Sequence, residues 1–110
     1  MANPWTGEVT LEIDGTPHVM KLTLGVLAEL ETQLGEDTII GLVERFESGA
    51  FSSRDVLALI VAGLRGGGWQ GRAQDLLAAE IAGGPVRAAQ AAGQLLSRAF
   101  ATPAPEEAQT

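Results

Sequence analysis

From Glu8 to Asp14 apolar and polar residues alternate strictly. Val9, Leu11 and Ile13 fall on one side, and Glu8, Thr10, Glu12 and Asp14 on the other. A period of two with one wet face predicts a strand. Asp14-Gly15 then signals a tight reversal, because glycine takes a positive φ at little cost, and Thr16-Pro17 completes it. A second strand is expected from His18 to about Thr23, with Met20, Leu22 and Leu24 on one side. A hairpin alone is marginal in water, so this one must rest on helices.

The period changes at Thr23, a plausible N-cap. Leu27, Leu30 and Leu34 recur at helical spacing over Leu24 to Leu34, Glu29, Glu31 and Gln33 fill the polar side, and Gly35 ends the helix. A second helix is expected after the N-cap Asp37. Ile39, Ile40, Val43 and Phe46 form its stripe, Glu44, Arg45 and Glu47 face water, and Gly49 stops it. Ser52 and Asp55 form a variant capping box, opening a third helix to about Arg65 with Leu57, Ile60, Val61 and Leu64 inside. Gly66-Gly67-Gly68 breaks the chain. A shorter helix is expected over Gln70 to Ala82 with Leu76, Leu77 and Ile81 inside. Gly83-Gly84-Pro85 separates it from a last, alanine-rich helix, from Val86 to about Ala101, with Leu95, Leu96 and Phe100 near its end. Pro85 suits a first helical position, where a missing N–H costs nothing.

These elements specify an α+β fold: an N-terminal β-hairpin packed on a bundle of four to five short α-helices. The expected organisation is a single domain over residues 1–101, followed by a disordered, acidic, proline-containing tail over residues 102–110. A length of 110 residues suits one domain. The hydrophobic fraction of 45% and the mean hydropathy of +0.15 support a core rather than wholesale disorder. Much of that fraction is alanine, so bulky core groups are few.

Charge narrows the partners. Fourteen acids oppose seven bases, for a formal charge of −7. The bases are scattered along the chain, which argues against nucleic acid and against anionic membrane surfaces. No cysteine is present, which removes disulfide and thiolate chemistry. Met1 to Trp5 lacks a basic region followed by an apolar run, and no apolar stretch is long enough to span a bilayer. A cytoplasmic location is the expectation.

Candidate chemistry is sparse. Gly66, Gly68 and Gly71 match G-x-G-x-x-G, but that loop must follow a strand, and here a helix precedes it. A helix connector is the better reading. His18, the sole histidine, has no companion ligands, so no metal site is expected. Ser48, Ser52, Ser53 and Ser97 lack the setting of an activated nucleophile. The pairs Glu44 with Glu47 and Glu29 with Glu31 read as solvated helix faces. Neither an enzyme nor a cofactor is expected. Trp5, Phe51 and Trp69 stand outside the expected helices and are the candidate partner-binding residues, with core packing as the competing role. Val26 and Leu42, beside the main stripes, hint at an extra contact surface.

Several segments in order resemble a known family. They are Asn3-Pro4-Trp5 with Gly7-Glu8-Val9, Ile13-Asp14-Gly15, Leu22 through Glu31, Leu42 through Phe46, Asp55 through Leu59, and Gly63 through Gly68. Over about residues 3–100 the chain resembles the tail assembly chaperone-like proteins of gene transfer agents and related prophages in alphaproteobacteria. The resemblance implies a non-enzymatic role in building a phage-like tail. The chain would bind the tape-measure protein, with other tail proteins as further candidate partners, before the tail tube forms around it. Members have also been labelled tail tube components, so a structural part retained in the particle is the alternative. Self-association is left open.

Overall fold

The computed structural model describes residues 7–34 and 39–100. The expected N-terminal Trp5, the glycine stop at Gly35, the cap at Asp37 and the tail over 102–110 lie outside the described residues. Within them the chain forms two strands, β1 (Val9–Ile13) and β2 (Thr16–Met20). Five helices follow: α1 (Leu24–Leu34), α2 (Ile39–Ser48), α3 (Ser53–Gly66), α4 (Ala73–Leu76) and α5 (Gly84–Ala99). The architecture is α+β, an antiparallel hairpin followed by helices.

The hairpin closes as the Asp14-Gly15 signal requires. Val9 faces Met20, Ile13 faces Thr16, and the two turn residues take φ values of 51° and 81°. Two successive positive φ values give the turn the twist that matches the flanking strands. Val9, Leu11, Ile13 and Met20 are buried. β2 is shorter than the alternation implied. At Lys21 the backbone leaves β1, and the Lys21 N–H donates to the Gly63 carbonyl of α3 at 2.9 Å. Leu24 consequently starts a helix and stands 85% exposed instead of joining Met20 inside.

α1 occupies its expected span. Thr23 caps it, its Oγ1 accepting from the Val26 N–H at 3.2 Å. In α2 the phase of the expected stripe needs correction. Ile39 and Leu42 are buried, while Ile40 is 62% exposed. Positions 39, 42, 43 and 46 lie within about 100° of helix surface, and Ile40 falls outside that arc. Leu42 is therefore core, not part of a second contact surface.

α3 is the hub, packing on α1, α4, α5 and β2. Its capping box forms as expected. Ser52 Oγ accepts from the Asp55 N–H at 3.1 Å, and Asp55 Oδ2 accepts from the Ser52 N–H at 2.9 Å. Leu59, Ile60, Val61 and Leu64 are buried along it. Its C-terminal glycines let helix and hairpin meet at backbone contact. A Cβ on Gly66 would lie 1.8 Å from the Lys21 carbonyl oxygen, and one on Gly67 1.9 Å from that of Val19. Gly66 and Gly67 are thus a packing device between the end of α3 and the end of the hairpin.

The helix expected over Gln70–Ala82 shrinks to the single turn of α4. Beyond it the chain runs extended beside β1, where Ile81 bridges Ile13. The Asp14 N–H donates to the Glu80 carbonyl at 2.7 Å, the Ala82 N–H to the Glu12 carbonyl at 3.0 Å, and the Glu80 N–H to Asp14 Oδ1 at 2.9 Å. These long-range bonds outweigh the modest helix preference of an alanine-rich segment. Leu77 is left 73% exposed rather than inside. α5 then crosses β1 and α3, burying Ala91, Ala92, Leu95 and Leu96.

Candidate partner-binding groove

The junction between α2 and α3 sets one wall of an open apolar groove. α2 ends at Gly49, whose φ of 80° turns the chain, and the Ala50 N–H returns to the Arg45 carbonyl at 2.8 Å. Arg45, expected to face water, instead reaches the start of α3. Its Nε and Nη2 donate to Asp55 Oδ2 and Oδ1 at 2.9 and 3.0 Å. Asp55, only 6% exposed, thus joins an ion pair to a helix cap. The Arg45 guanidinium, ahead of the opposing cost of burial, holds the Asp55 carboxyl below its usual range, and the Ser52 N–H adds to this.

That clamp brings Phe46 of α2 against Phe51 of the connecting loop. Their rings stack with centroids 4.5 Å apart and planes 7° from parallel. Beside the stack, α2 and α5 flank an open groove of about 740 Å³. Val43, Phe46 and Phe51 line one side, and Val86, Gly93 and Phe100 the other. Val86 and Phe100 are 69% and 46% exposed. Gly93 keeps the groove deep: a Cβ there would meet only the Phe46 ring, at 3.8 Å. On the other side of Phe51 a second depression of about 710 Å³ lies between α3, α4 and the start of α5, with exposed Leu77 at its edge. Phe51 and Ala89 belong to both, so the apolar surface is continuous.

Of the three sequence candidates, Phe51 lies at the centre of this surface. Trp69 lies elsewhere, at the end of α3. It is half-buried against the core, its backbone N–H donates to the Leu64 carbonyl at 2.8 Å, and its ring closes over Gly71. Trp5 lies outside the described residues. The structure therefore does not unite Phe51 and Trp69. Phe46, Val86 and Phe100, read from the sequence as helix stripe or helix end, join Phe51 instead. Their sequence signal was an apolar residue at a helix margin, which spacing alone does not separate from core.

Two arginines that looked scattered share one task. Arg87 Nη2 donates to the Thr10 carbonyl at 2.9 Å, and Arg98 Nη1 to the Glu8 carbonyl. With Ala82 on Glu12, the carbonyls of residues 8, 10 and 12 along the outer edge of the hairpin are occupied within the chain. That edge is thereby closed to strand addition. Among the described residues no three His, Cys, Asp or Glu side chains gather as a metal site. No helix among them is long and apolar enough to cross a membrane. The groove offers a continuous, partly exposed apolar surface.

No curated protein and no solved structure matches the chain. Residues 6–102 match the model of the family described as "Phage tail tube protein, GTA-gp10", a tail protein family and not an enzyme family, and the chain belongs to it.

Proposed function

We propose that this chain is a structural component of a phage-like tail, held in the particle through its contacts with another tail protein. The observation that carries the reading is the family match over residues 6–102, whose description is that of a tail tube protein. The continuous apolar surface around Phe51 supports it, since an exposed apolar patch of this kind marks a contact surface. Quantitative mass spectrometry of purified particles tests it. A component is retained at fixed stoichiometry to the other tail proteins, and a chain lost on purification overturns the reading.

A second reading has its own support. The outer edge of the hairpin is capped by Ala82, Arg87 and Arg98, so growth of a tube by strand addition there is disfavoured. A groove between helices instead suits an apolar helical stripe. A tail assembly chaperone that covers the tape-measure protein before the tube forms would use such a groove and then leave. Co-expression separates the two readings. A chaperone keeps an otherwise insoluble tape-measure protein in solution and is absent from finished particles.

A further inference from the structure

We infer that the groove between α2 and α5 takes one amphipathic helix, about four turns long, with basic residues along the flank facing α2. The inference rests on the reading that the chain works by holding another tail protein, and adds the surface, the shape of the occupant and its charge.

Length comes from α5. From Val86 to Phe100 its wall extends about 21 Å at 1.5 Å per residue, which matches about four turns of a partner helix. Depth comes from Ala89 and Gly93, small residues on the α5 side that let a second helix approach closely, opposite Phe46 and Phe51. Polarity comes from the two rims, which differ. On α2, exposed Glu47 lines the groove, and exposed Glu44 and Ile40 lie farther round the same helix. On α5 the rim is made of the uncharged, exposed Gln90 and Ser97. Of the nearby cations, Arg45 is held on Asp55 and Arg98 on a hairpin carbonyl, and Arg87 spans the Thr10 carbonyl and, at 3.5 Å, Gln94 Oε1. Exposed Arg54 lines the adjoining depression beyond Phe51 rather than the groove. A helix with Lys or Arg on one flank and neutral residues on the other therefore fits in one orientation. An acidic helix meets repulsion from the rim and from a chain of net charge −7. The same net charge disfavours a second copy as occupant.

The test uses the full chain and two synthetic helical peptides of about four turns. Both carry the same apolar i, i+3, i+4, i+7 stripe. One has lysines on a single flank and the other glutamates at the same positions. Fluorescence anisotropy at low salt is expected to show the lysine peptide binding about ten-fold more tightly, with the gap narrowing as salt screens the rim. Glu44→Lys with Glu47→Lys should reverse the preference. Gly93→Leu fills the groove and should bind neither peptide, with circular dichroism and urea denaturation showing that it stays folded. Gly93→Ala, whose methyl meets only the Phe46 ring at 3.8 Å, should bind the lysine peptide more weakly than the parent. Equal binding of both peptides, binding of neither, or undiminished binding by Gly93→Leu overturns the inference. So does a parent chain that dimerises in sedimentation and is made monomeric by Gly93→Leu, which assigns the groove to a second copy. Particle composition is measured separately: a chain retained in particles that binds neither peptide refutes this groove assignment alone.

Discussion

Asp55→Ala removes one carboxylate that serves two elements at once. Asp55 accepts from the Arg45 guanidinium at 2.9 and 3.0 Å and from the Ser52 N–H at 2.9 Å. Loss of the cap contact costs about 1 kcal/mol. Hydrogen bonds to a charged partner contribute about 1.5–3 kcal/mol, and the lower half of that range applies because the stranded guanidinium can turn to water. Its side chain is already 28% exposed. The expected total is about 2.5–3 kcal/mol, at or below the low end of the roughly 3–5 typical when a fully buried pair is broken. In a domain of this size that lowers Tm by roughly 10–20 °C. Urea denaturation followed by circular dichroism at neutral pH reads the loss directly. Acid adds a second check. The folded carboxyl is held below its unfolded value, so the stabilisation is complete above about pH 4 and fades as pH falls through the folded pKa. The parent chain should therefore lose more stability below about pH 4 than Asp55→Ala does. A loss under about 0.5 kcal/mol, or parallel acid limbs for the two proteins, would refute the clamp.

Other perturbations read other parts of the fold. Gly67→Ala places a methyl 1.9 Å from the Val19 carbonyl oxygen, so β2 must move, at a cost of about 1–3 kcal/mol in urea denaturation. Gly25→Ala meets nothing within 4 Å in α1 and should instead stabilise by about 0.5–1 kcal/mol in the same assay. Arg87→Ala with Arg98→Ala uncovers two carbonyls on the outer edge of the hairpin. Concentration-dependent association in sedimentation velocity is the expected result. Phe51→Ala removes the stack on Phe46 and should cost about 1–2 kcal/mol with little change in helix content by circular dichroism.

The local devices were legible in the sequence. Alternation over Val9–Ile13, the Asp14-Gly15 turn and the Ser52–Asp55 capping box each depend on neighbours within a few residues, and each folds as its pattern implies. Long-range pairing was not legible. Arg45 is polar on a helix, so its pattern reads as a wet face, yet Asp55 across the turn captures it. The 79–82 segment carries helix-compatible residues but is held extended by backbone bonds to Glu12 and Asp14. The groove shares this character. Phe46, Phe51, Val86 and Phe100 come from three parts of the chain, and only the α2–α3 clamp and the α5 crossing bring them together. Trp69, as conspicuous in sequence as Phe51, packs at the other end of α3 because Gly71 and the helix terminus receive its ring.

The most direct test of a tail-building role carried by the groove is Gly93→Leu in a host that produces the particles. Tails are scored by electron microscopy, and the chain is quantified in purified particles. The variant should accumulate at parent levels, while particles lack normal tails and contain little of the chain. Normal tails carrying the usual amount of a stably folded Gly93→Leu chain would contradict the account.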